Sequence, residues 1–341
     1  MVSRRFPWLL FASLCFVRPV ISTAAPPADG PVRNIILVTT DGLRWQEVFR
    51  GADDAYLNRE QGVTDVAALA KDFGRGTPAE RRAALLPFVW GTIAKEGQIF
   101  GNRDRKSDAR LTNGMKFSYP GYNEILTGAP DPEIKSNDKV LNKNVTVLEW
   151  LNRRPAFAGR VAAACEWDRF PYIINSERSG VPVTGTAEHD SETFEAALAC
   201  LKEKKPRVFY VAFGETDEHA HERRYDLVLR SARAVDGYVR ALWEAAQAMP
   251  EYAGKTALLM TTDHGRGGDT DRWKDHGEKM EGAEFIWIAA MGPGIRPLGE
   301  RADVPEVTQS QVAATAAALL GEDYGAEFPK AGKPLADVVA R

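Results

Sequence analysis

The stretch from Thr256 to Gly265 reads T-A-L-L-M-T-T-D-H-G, and it decides the fold that the sequence predicts. Its first five residues form a short apolar run, which is typical of a buried strand. Asp263 and His264 follow at the strand end, and glycines then allow the backbone to turn. Ligands of open α/β sheets bind at the carboxyl ends of strands, and a carboxylate beside an imidazole suits zinc. Asp-His pairs are common, so the meaning of this one depends on the other strand ends.

Two further apolar runs end in residues of the same kind. Residues 34–40 read N-I-I-L-V-T-T, which is typical of a parallel strand covered on both faces, and Asp41 follows at once. An ordinary turn or helix-cap aspartate is the alternative interpretation of Asp41. Residues 207–213 read R-V-F-Y-V-A-F, and the segment after them carries Asp217 and His221 four positions apart. Three strand ends therefore carry candidate metal ligands.

Predicted strands and helices alternate along the chain. This alternation predicts an α/β fold with a mostly parallel central sheet and helices on both faces. We expect residues 52–77 to form a polar surface insertion and residues 102–116 to form a loop. The predicted strands cover residues 34–40, 98–101, 160–165, 207–213, 256–260 and 285–290, and the predicted helices cover residues 78–96, 118–127, 145–151, 192–203, 225–248 and 309–320.

The first residues resemble a targeting segment. The chain has 341 residues, of which 44% are hydrophobic, so it can build one large α/β domain or two small ones. Arg4 and Arg5 form a basic start, and the apolar run 6–17 is too short to span a bilayer. We predict a signal peptide over residues 1–24 and a single domain over residues 25–341. The mature protein would then be periplasmic or secreted with no stable membrane span, and an uncleaved anchor is the alternative.

Charge and cysteine content limit the possible partners. Without residues 1–24 the chain has 41 basic and 47 acidic residues, a net charge of −6 with no basic block. A nucleic acid polymer is therefore not expected as a partner. Cys165 and Cys200 remain, and the sequence leaves open whether they form a disulfide or stay buried free thiols.

Residues 118–128 read S-Y-P-G-Y-N-E-I-L-T-G and predict a short helix. Pro120 suits the first turn of that helix, and Gly128 suits its C-terminal cap. Ser118 then lies at the helix N-terminus, where free N–H groups favour a phosphate anion. Ser118 is therefore a candidate nucleophile, and a simple N-cap is the alternative role.

The chain has five histidines, and His221, His264 and His276 lie near strand ends or in the loops after them. Three imidazoles and three carboxylates can hold two metal ions, each with an open position. Two adjacent divalent ions suit phosphoryl transfer, because one activates the attacking oxygen and the other stabilises the leaving oxygen. A serine hydroxyl can serve as the nucleophile in such a site.

At this point the chain resembles the alkaline phosphatase superfamily, and most of all the branch of nucleotide pyrophosphatase/phosphodiesterases and single-domain periplasmic phosphatases. Its D-G at residues 41–42 resembles the first motif of that branch, and residues 118–128 resemble T-x-P-N/G-H-x-x-L/I-x-T-G. The D-x-x-x-H motif resembles residues 217–221, D-H-G matches residues 263–265, and a later H-G matches residues 276–277. These five motifs occur in family order and span about residues 34–320. The resemblance implies an alkaline-phosphatase-like fold.

The resemblance also implies a role for each matching residue. One zinc ion would be held by Asp217, His221 and His276. The other would be held by Asp41, Asp263 and His264, with Ser118 reaching it, which makes two Zn2+ per chain. An asparagine that donates to the phosphate would correspond to Asn137, and Asn123 is its rival.

Two positions depart from the family motif. Ser118 stands where this branch usually has threonine, and Tyr122 stands where the motif often has histidine. Tyr119 and Tyr122 suit either base stacking or packing, and Lys116 and Arg266 are either phosphate contacts or solvated cations. His189 and His219 lie off the motifs and are expected to be solvated.

The implied function is a secreted two-zinc hydrolase of small phosphate esters, a phosphatase or phosphodiesterase that acts through a phosphoseryl intermediate. The alternatives are a sulfatase or a phosphate-group transferase or mutase on the same scaffold, or a metal-binding protein without turnover. No C-x-P-S-R-like signature occurs, which disfavours a sulfatase. The sequence does not choose between monoesters and diesters, and it fixes neither the natural substrate nor the oligomeric state.

Overall fold

The fold is built on a central sheet of eight strands. The computed structural model describes residue 1, residues 32–185 and residues 189–339. Apart from Met1, the predicted signal peptide lies outside these residues. The strand order is β5-β4-β6-β1-β7-β8-β2-β9, and a separate two-stranded sheet pairs β10 with β3. The strands are β1 (Asn34–Thr40), β2 (Gly97–Phe100), β3 (Ala109–Arg110), β4 (Val161–Cys165), β5 (Val183–Thr184), β6 (Val208–Phe213), β7 (Thr256–Thr262), β8 (Ile288–Met291), β9 (Gly299–Glu300) and β10 (Val307–Thr308).

The sheet is mostly parallel, as the sequence predicted. Strands β5, β4, β6, β1 and β7 run parallel to one another and β2 runs parallel to β9, whereas β8 is antiparallel to both β7 and β2. The helices that surround the sheet are α1 (Trp45–Arg50), α2 (Val66–Phe73), α3 (Pro78–Leu85), α4 (Ala94–Glu96), α5 (Ser118–Thr127), α6 (Val147–Asn152), α7 (Phe170–Ile173), α8 (Ser176–Ser179), α9 (Asp190–Glu203), α10 (Glu215–His221), α11 (Tyr225–Gln247), α12 (Gln311–Leu319) and α13 (Ala336–Val339).

Apolar cores cover both faces of the sheet. In β1, Ile36 and Val38 belong to one core, which also contains the apolar face of α11. Ile35 and Leu37 point the other way into a second core, which contains residues of α5, α6 and α12. This alternation of buried side chains on both faces explains the continuous apolar run in β1. The prediction of helices on both faces is confirmed.

The predicted helix over residues 78–96 is wrong in its length. Helix α3 ends at Leu85, and a π-helical turn over Val89–Ile93 leads into α4. Leu86 leaves the helical region with φ −125° and ψ 66°. Proline at position 87 explains the break, since it disfavours helical backbone in the residue before it.

The predictions for two other segments also need correction. Residues 52–77 are more than a polar insertion, because α2 inserts Leu69 and Phe73 into the core. The predicted strand at 285–290 starts later, at Ile288, because Ile286 donates its N–H to the carbonyl of Ala109 instead of joining the main sheet. Its antiparallel direction follows from a connection after β7 that contains no helix and therefore makes no crossover.

The structure also bears on the pairing of the cysteines and on the expected lack of a membrane span. Cys165 and Cys200 are buried free thiols, which settles the alternative that the sequence left open. Within the described ranges, no helix combines the length and apolar character that crossing a bilayer requires.

The three central strands β6, β1 and β7 bring the candidate ligands together. Thr40 at the end of β1 is level with Phe213 on one side and with Thr262 on the other. Asp41 and Asp263 directly follow their strands, and α10 begins two residues after β6. The candidate ligands therefore meet at one edge of the sheet.

Candidate metal centre

Asp41, Asp263 and His264 form a buried ligand group at this edge. Each offers one ligand atom, and these atoms all lie within 4.8 Å of one another. The three residues are 7%, 0% and 0% exposed. Such burial is expensive for charged groups unless a partner compensates it.

One carboxylate oxygen of Asp263 is fixed by the backbone. Its Oδ1 accepts hydrogen bonds from the N–H groups of Gly42 and His264, at 3.0 and 2.9 Å. Gly42 has φ +59°, and a side chain there would collide with Arg266 and Asp217. The turn after β1 therefore needs glycine to bring its N–H to Asp263.

The other two members of the buried group are oriented in the same way. Tyr122 donates its hydroxyl to Asp41 Oδ2 at 2.9 Å. His264 Nδ1 lies 3.0 Å from the carbonyl oxygen of Gly265, so the proton on this ring belongs on Nδ1. The Nε2 of His264 is then left with a free lone pair, which is the form that binds a metal.

The remaining atoms of the group face one another without hydrogen bonds. Asp41 Oδ1, Asp263 Oδ2 and His264 Nε2 are buried and unpartnered. His264 Nε2 lies 3.2 Å from Asp41 Oδ1 and 3.5 Å from Asp263 Oδ2. Buried polar atoms nearly always have a partner, so three orphaned ligand atoms that converge fit a bound cation. Two oxygens and one nitrogen are a donor set that zinc accepts, with a position left open.

The electrostatics of the buried group favour the same interpretation. Burial, followed by the charge of Asp41, raises the pKa of Asp263 well above its usual range. Burial opposes protonation of His264, but Asp263 and Asp41 outweigh it and raise its pKa to about 9. Two carboxylates in a dry site thus attract positive charge, and a metal ion supplies it in place of a proton.

Asp217, His221 and His276 form a second ligand group beside the first, also within 4.8 Å. We call it the exposed group because His221 is exposed, whereas Asp217 and His276 are half-buried. His221 Nε2 lies 2.9 Å from His276 Nε2 and 3.2 Å from Asp217 Oδ2. His276 Nδ1 faces the carbonyl oxygen of Lys116 at 3.3 Å. Burial and the neighbouring charges of His264 and Arg266 lower the pKa of His276 far below its usual range, so its ring is neutral.

The two ligand groups are in direct contact. The rings of His264 and His276 stack with centroids 4.0 Å apart. His264 Nε2 also lies 3.6 Å from Asp217 Oδ1. The structure therefore places all six predicted ligands in two adjacent groups with the predicted membership, and metal binding by them stays a prediction.

Arg266 has a role that the sequence did not reveal. It is 2% exposed, so it is not a solvated loop cation. Its guanidinium group forms an ion pair with Asp217 Oδ1 and donates to the carbonyl of Gly42 at 3.1 Å. Arg266 therefore orients a ligand of the exposed group and ties it to the turn that holds the buried group.

Helix α5, which begins at Ser118, packs against the strand end that carries Asp263. Ser118 is the first residue of the helix, whereas the N-cap is Phe117, which has no side-chain capping bond. A Cβ on Gly121 would lie only 2.5 Å from the carbonyl oxygen of Asp263, so α5 packs directly against that strand end. Residues 118, 121 and 122 share one helix face, because residues three and four apart are neighbours on a helix. The N-cap alternative for Ser118 is wrong.

The two candidate asparagines have different surroundings. Asn137 Oδ1 accepts from the N–H of Tyr119 at 2.9 Å, so this side chain lies at the N-terminus of α5 beside Ser118. Asn123 is fully buried, and its Oδ1 accepts from Asn142 and Asn144. Its Nδ2 donates to the carbonyl of Ala129, so Asn123 is occupied inside the protein. Asn137 is therefore the candidate that fits a phosphate contact.

The remaining candidates lie outside the two ligand groups. His189 and His219 face Glu215 and Glu222, at 3.1 and 3.2 Å. Tyr122 is buried and packs edge-on against Phe170 with ring centroids 4.7 Å apart, so it does not stack on a base. Tyr119 donates its hydroxyl to the carbonyl of Val140. Lys116 faces Glu284 at 3.3 Å.

The role of Gln309 was not predicted from the sequence. It is fully buried, and its Nε2 donates to the carbonyl oxygens of Thr262 and Asp263, at 3.0 and 2.7 Å. It thereby fixes the backbone that carries the buried ligand group. No local pattern reveals this role, since the partners lie 46 and 47 positions away in the sequence.

Comparison with proteins of known sequence gives distant relatives. No protein-family model matches the chain. GPI ethanolamine phosphate transferase 1 from Emericella nidulans is 23% identical over 358 residues, covering 92% of this chain. This chain spans only 36% of the length of that relative.

Comparison with solved structures gives the fold. The wild-type alkaline phosphatase PafA superposes with a TM-score of 0.60 at 11% identity, covering 92% of this chain and 100% of that one. A 2-O GAG sulfatase gives 0.56 at 14% identity, covering 89% and 73%. Murine ectonucleotide pyrophosphatase/phosphodiesterase 5 gives 0.54 at 12% identity, covering 85% and 96%. The chain therefore has the α/β fold of these alkaline-phosphatase-like structures, which is the fold that the resemblance implied.

Proposed function

We propose that this protein is a two-zinc hydrolase of small phosphate esters that acts through a phosphoseryl intermediate. The observation that carries the proposal is the convergence of three buried, unpartnered ligand atoms, on Asp41, Asp263 and His264, beside the helix that begins at Ser118. His264 Nε2 lies within ion-pair distance of the two carboxylate oxygens, at 3.2 and 3.5 Å, but none of the three atoms makes a hydrogen bond. Two buried carboxylates around one imidazole leave an excess of negative charge that a metal ion would neutralise.

The donor sets fit two zinc ions. Asp41, Asp263 and His264 would hold one ion, and Asp217, His221 and His276 would hold the other. When bound, the two ions supply Lewis acidity, which favours deprotonation of an attacking oxygen and stabilises negative charge on a leaving oxygen. Arg266 and Tyr122 keep one ligand of each group in position through the contacts described above.

The chain's own residues then account for the phosphoryl transfer. The N–H of Ser118 and the side-chain amide of Asn137 hold the non-bridging oxygens of the phosphate, because the Tyr119 N–H already donates to Asn137 Oδ1 and Pro120 has no N–H. Ser118 Oγ forms a bond to phosphorus while the bond from phosphorus to the alcohol oxygen breaks, and the alcohol leaves with a proton. Water then attacks phosphorus, the bond to Ser118 Oγ breaks, and phosphate is released.

A phosphate-group transferase is the second candidate. It is favoured by the relative named GPI ethanolamine phosphate transferase 1, whose matching part covers 92% of this chain. In that case an alcohol would replace water in the second step, and the ligand groups and Ser118 would act unchanged. Product analysis separates the two, because a transferase forms a new ester when an alcohol acceptor is present.

We further propose that the protein is exported and cleaved after about Ala24, on the basis of the basic start and short apolar run of residues 1–24. N-terminal sequencing of the protein from its native host tests this. A start near Ala25 supports export, and an intact Met1 on cytoplasmic protein contradicts it.

A substrate panel tests the proposed function. Purified protein is assayed on chromogenic phosphate monoesters, phosphate diesters and sulfate esters, before and after removal of metal by a chelator and again after zinc is restored. We expect hydrolysis of phosphate esters that stops on chelation and returns with zinc. Hydrolysis of sulfate esters alone, or turnover that survives complete metal removal, would contradict the proposal.

A further inference from the structure

The opposite edge of the sheet carries a row of cations. Each of the four neighbouring parallel strands β4, β6, β1 and β7 is directly preceded by a basic residue. These residues are Arg160, Arg207, Arg33 and Lys255, in the order of the strands across the sheet. The pattern is not visible in the sequence, because the four positions are scattered over more than 200 residues.

Strand register places the four residues within one position of one another. Ile35 pairs with Val208, so Arg207 lies beside Asn34, one residue after Arg33. Asn34 pairs with Thr256, so Arg33 lies beside Lys255. Val161 pairs with Val208, so Arg160 lies beside Arg207. Neighbouring strands are about 4.8 Å apart, so the whole row spans roughly 15 Å.

A cavity of about 430 Å³ opens at this row. It is lined by Arg33, Asn34, Arg160, Arg207, Glu251 and Lys255. The single carboxylate among them, Glu251, is already neutralised by Lys205 at 2.5 Å. The cavity therefore has a strong excess of positive charge.

The cations of the row lack carboxylate partners of their own. Arg207 donates to the carbonyls of Arg33 and Ala156, at 3.0 and 2.8 Å. Arg160 donates to the carbonyl of Lys205, and Lys255 donates to the carbonyl of Pro250. Burial, followed by the charges of Arg160 and Arg33, lowers the pKa of Arg207. The row thus holds four cations close together, none of which makes an ion pair with a carboxylate in the described residues, and Glu251 in the cavity wall is paired with Lys205.

We propose that this cavity, at the edge of the sheet where the parallel strands begin (the amino edge), binds a multiply charged phosphate group. Guanidinium groups present paired N–H donors that match phosphate oxygens, and three arginines with a lysine suit a group that carries more than one negative charge. Asn34 adds a side chain with both donor and acceptor atoms to the same wall.

The cavity is distinct from the candidate metal centre. Strand β1 runs from Asn34 at the cavity to Thr40 beside the ligand groups, so the two sites are roughly 20 Å apart at about 3.3 Å per residue. The phosphate at the amino edge is therefore held and not hydrolysed. Its source is either a free polyphosphate anion or the headgroup of an anionic lipid.

Binding of inorganic pyrophosphate tests the first source. Pyrophosphate is titrated calorimetrically into the full-length chain carrying Ser118→Ala, which prevents turnover. We expect a binding component that weakens at least tenfold in Arg33→Gln/Arg207→Gln and persists in Asp263→Asn. The double variant Lys202→Gln/Arg240→Gln makes the same charge change on exposed helix surfaces and should leave this component unchanged.

The single variant Arg33→Gln keeps the test valid if the double variant does not fold. The Arg33 side chain makes no hydrogen bond or ion pair to any residue in the described ranges, so its loss should not destabilise the fold. We expect several-fold weaker binding in this variant. The affinity should also fall as salt is added, because the contacts are ionic.

Sedimentation with vesicles tests the second source. Vesicles of phosphatidylcholine alone are compared with vesicles that also contain phosphatidic acid, whose phosphomonoester headgroup carries more than one negative charge. Binding to the anionic vesicles that is lost in Arg33→Gln/Arg207→Gln, but not in the charge-matched control, would assign the cavity to a lipid headgroup. The proposal is overturned if neither probe binds, or if the control variant loses binding as much as the arginine variants.

Discussion

The two ligand groups of the candidate metal centre contain the same kinds of side chain in different surroundings. In the buried group, each ligand has one polar atom held by the protein and one left free. In the exposed group, His221 is 48% exposed in its side chain, and its Nε2 faces other members of the group. The difference suggests two roles. The buried group would hold one ion firmly beside the helix that begins at Ser118, and the exposed group would hold a more accessible ion that faces solvent and the incoming water. The predictions below test this difference.

The largest effect is expected when a ligand is removed from the buried group. Asp263→Asn keeps an oxygen that can accept from the N–H groups of Gly42 and His264 but loses the negative charge. We expect the zinc content to fall from two ions to one per chain and turnover to fall by roughly a hundredfold or more. Excess zinc should not restore it. Elemental analysis and turnover of the same sample check this.

His221→Gln should have a milder effect. Its side chain lies at the exposed rim, so we expect weaker binding of one ion, with activity partly restored by added zinc. His219→Gln is the matched control, because His219 lies two residues away and faces Glu222 instead of the ligand groups. An equal and irreversible loss in the Asp263 and His221 variants would mean that the two groups do not differ in the way described.

Much of this site was predictable because its ligands are local to strand ends. Asp41, Asp217, His221, Asp263 and His264 each follow an apolar run closely, and the register of three parallel strands brings them together. The central sheet was predictable for the same reason, since buried parallel strands are continuous apolar runs.

The residues that orient the ligands were not predictable in this way. Tyr122 and Asp41 are 81 positions apart, and Arg266 and Asp217 are 49 apart, so only the tertiary structure pairs them. A tyrosine on a helix and an arginine in a loop have many ordinary roles, and nothing in the local sequence selects these. The errors in the predicted fold likewise arose because tertiary packing overrides the local pattern. Helix α2, for example, buries two side chains although its segment is polar on average.

A smaller effect is expected from the orientation of Asp41. Tyr122→Phe removes the hydroxyl that donates to Asp41 Oδ2 and leaves that buried oxygen unpartnered. We expect a loss of about 1–3 kcal/mol in stability and roughly tenfold weaker zinc binding at the buried group. Tyr119→Phe removes a hydroxyl that contacts only the carbonyl of Val140, and it should leave zinc affinity unchanged. Equal zinc affinity in both variants would show that Tyr122 does not orient a ligand.

The smallest effect concerns a buried carboxylate outside both groups. Asp190 is 1% exposed and has an unpartnered Oδ2, but no histidine accompanies it in a ligand group. Burial raises its pKa to about 7, although the hydrogen bond that it accepts from the N–H of Gly214 partly opposes this rise. The buried carboxylate of Asp190 is therefore neutralised by a proton on folding, whereas the carboxylates of the buried ligand group would be neutralised by a metal ion.

The sign of the resulting pH dependence follows from that raised pKa. An acid whose pKa is higher in the folded than in the unfolded state contributes stability at low pH, and this is lost as the pH rises through the folded value. We expect the melting temperature to fall between about pH 4 and about pH 7, the unfolded and folded pKa values of Asp190, and Asp190→Asn to reduce that fall by a few degrees. Glu195→Gln, at an exposed position of the same helix, is the control. A steeper fall in Asp190→Asn would contradict this account.

The central claim is that Ser118 carries the phosphoryl group, and trapping the intermediate tests it most directly. The zinc-loaded enzyme is mixed with a phosphate ester, quenched in acid during turnover, digested and examined by mass spectrometry. The account predicts a phosphate on Ser118, an unlabelled and nearly inactive Ser118→Ala variant that still binds both zinc ions, and a Ser118→Thr variant that keeps appreciable activity. No phosphate on Ser118, together with near wild-type turnover in Ser118→Ala, would contradict it and leave water as the direct nucleophile.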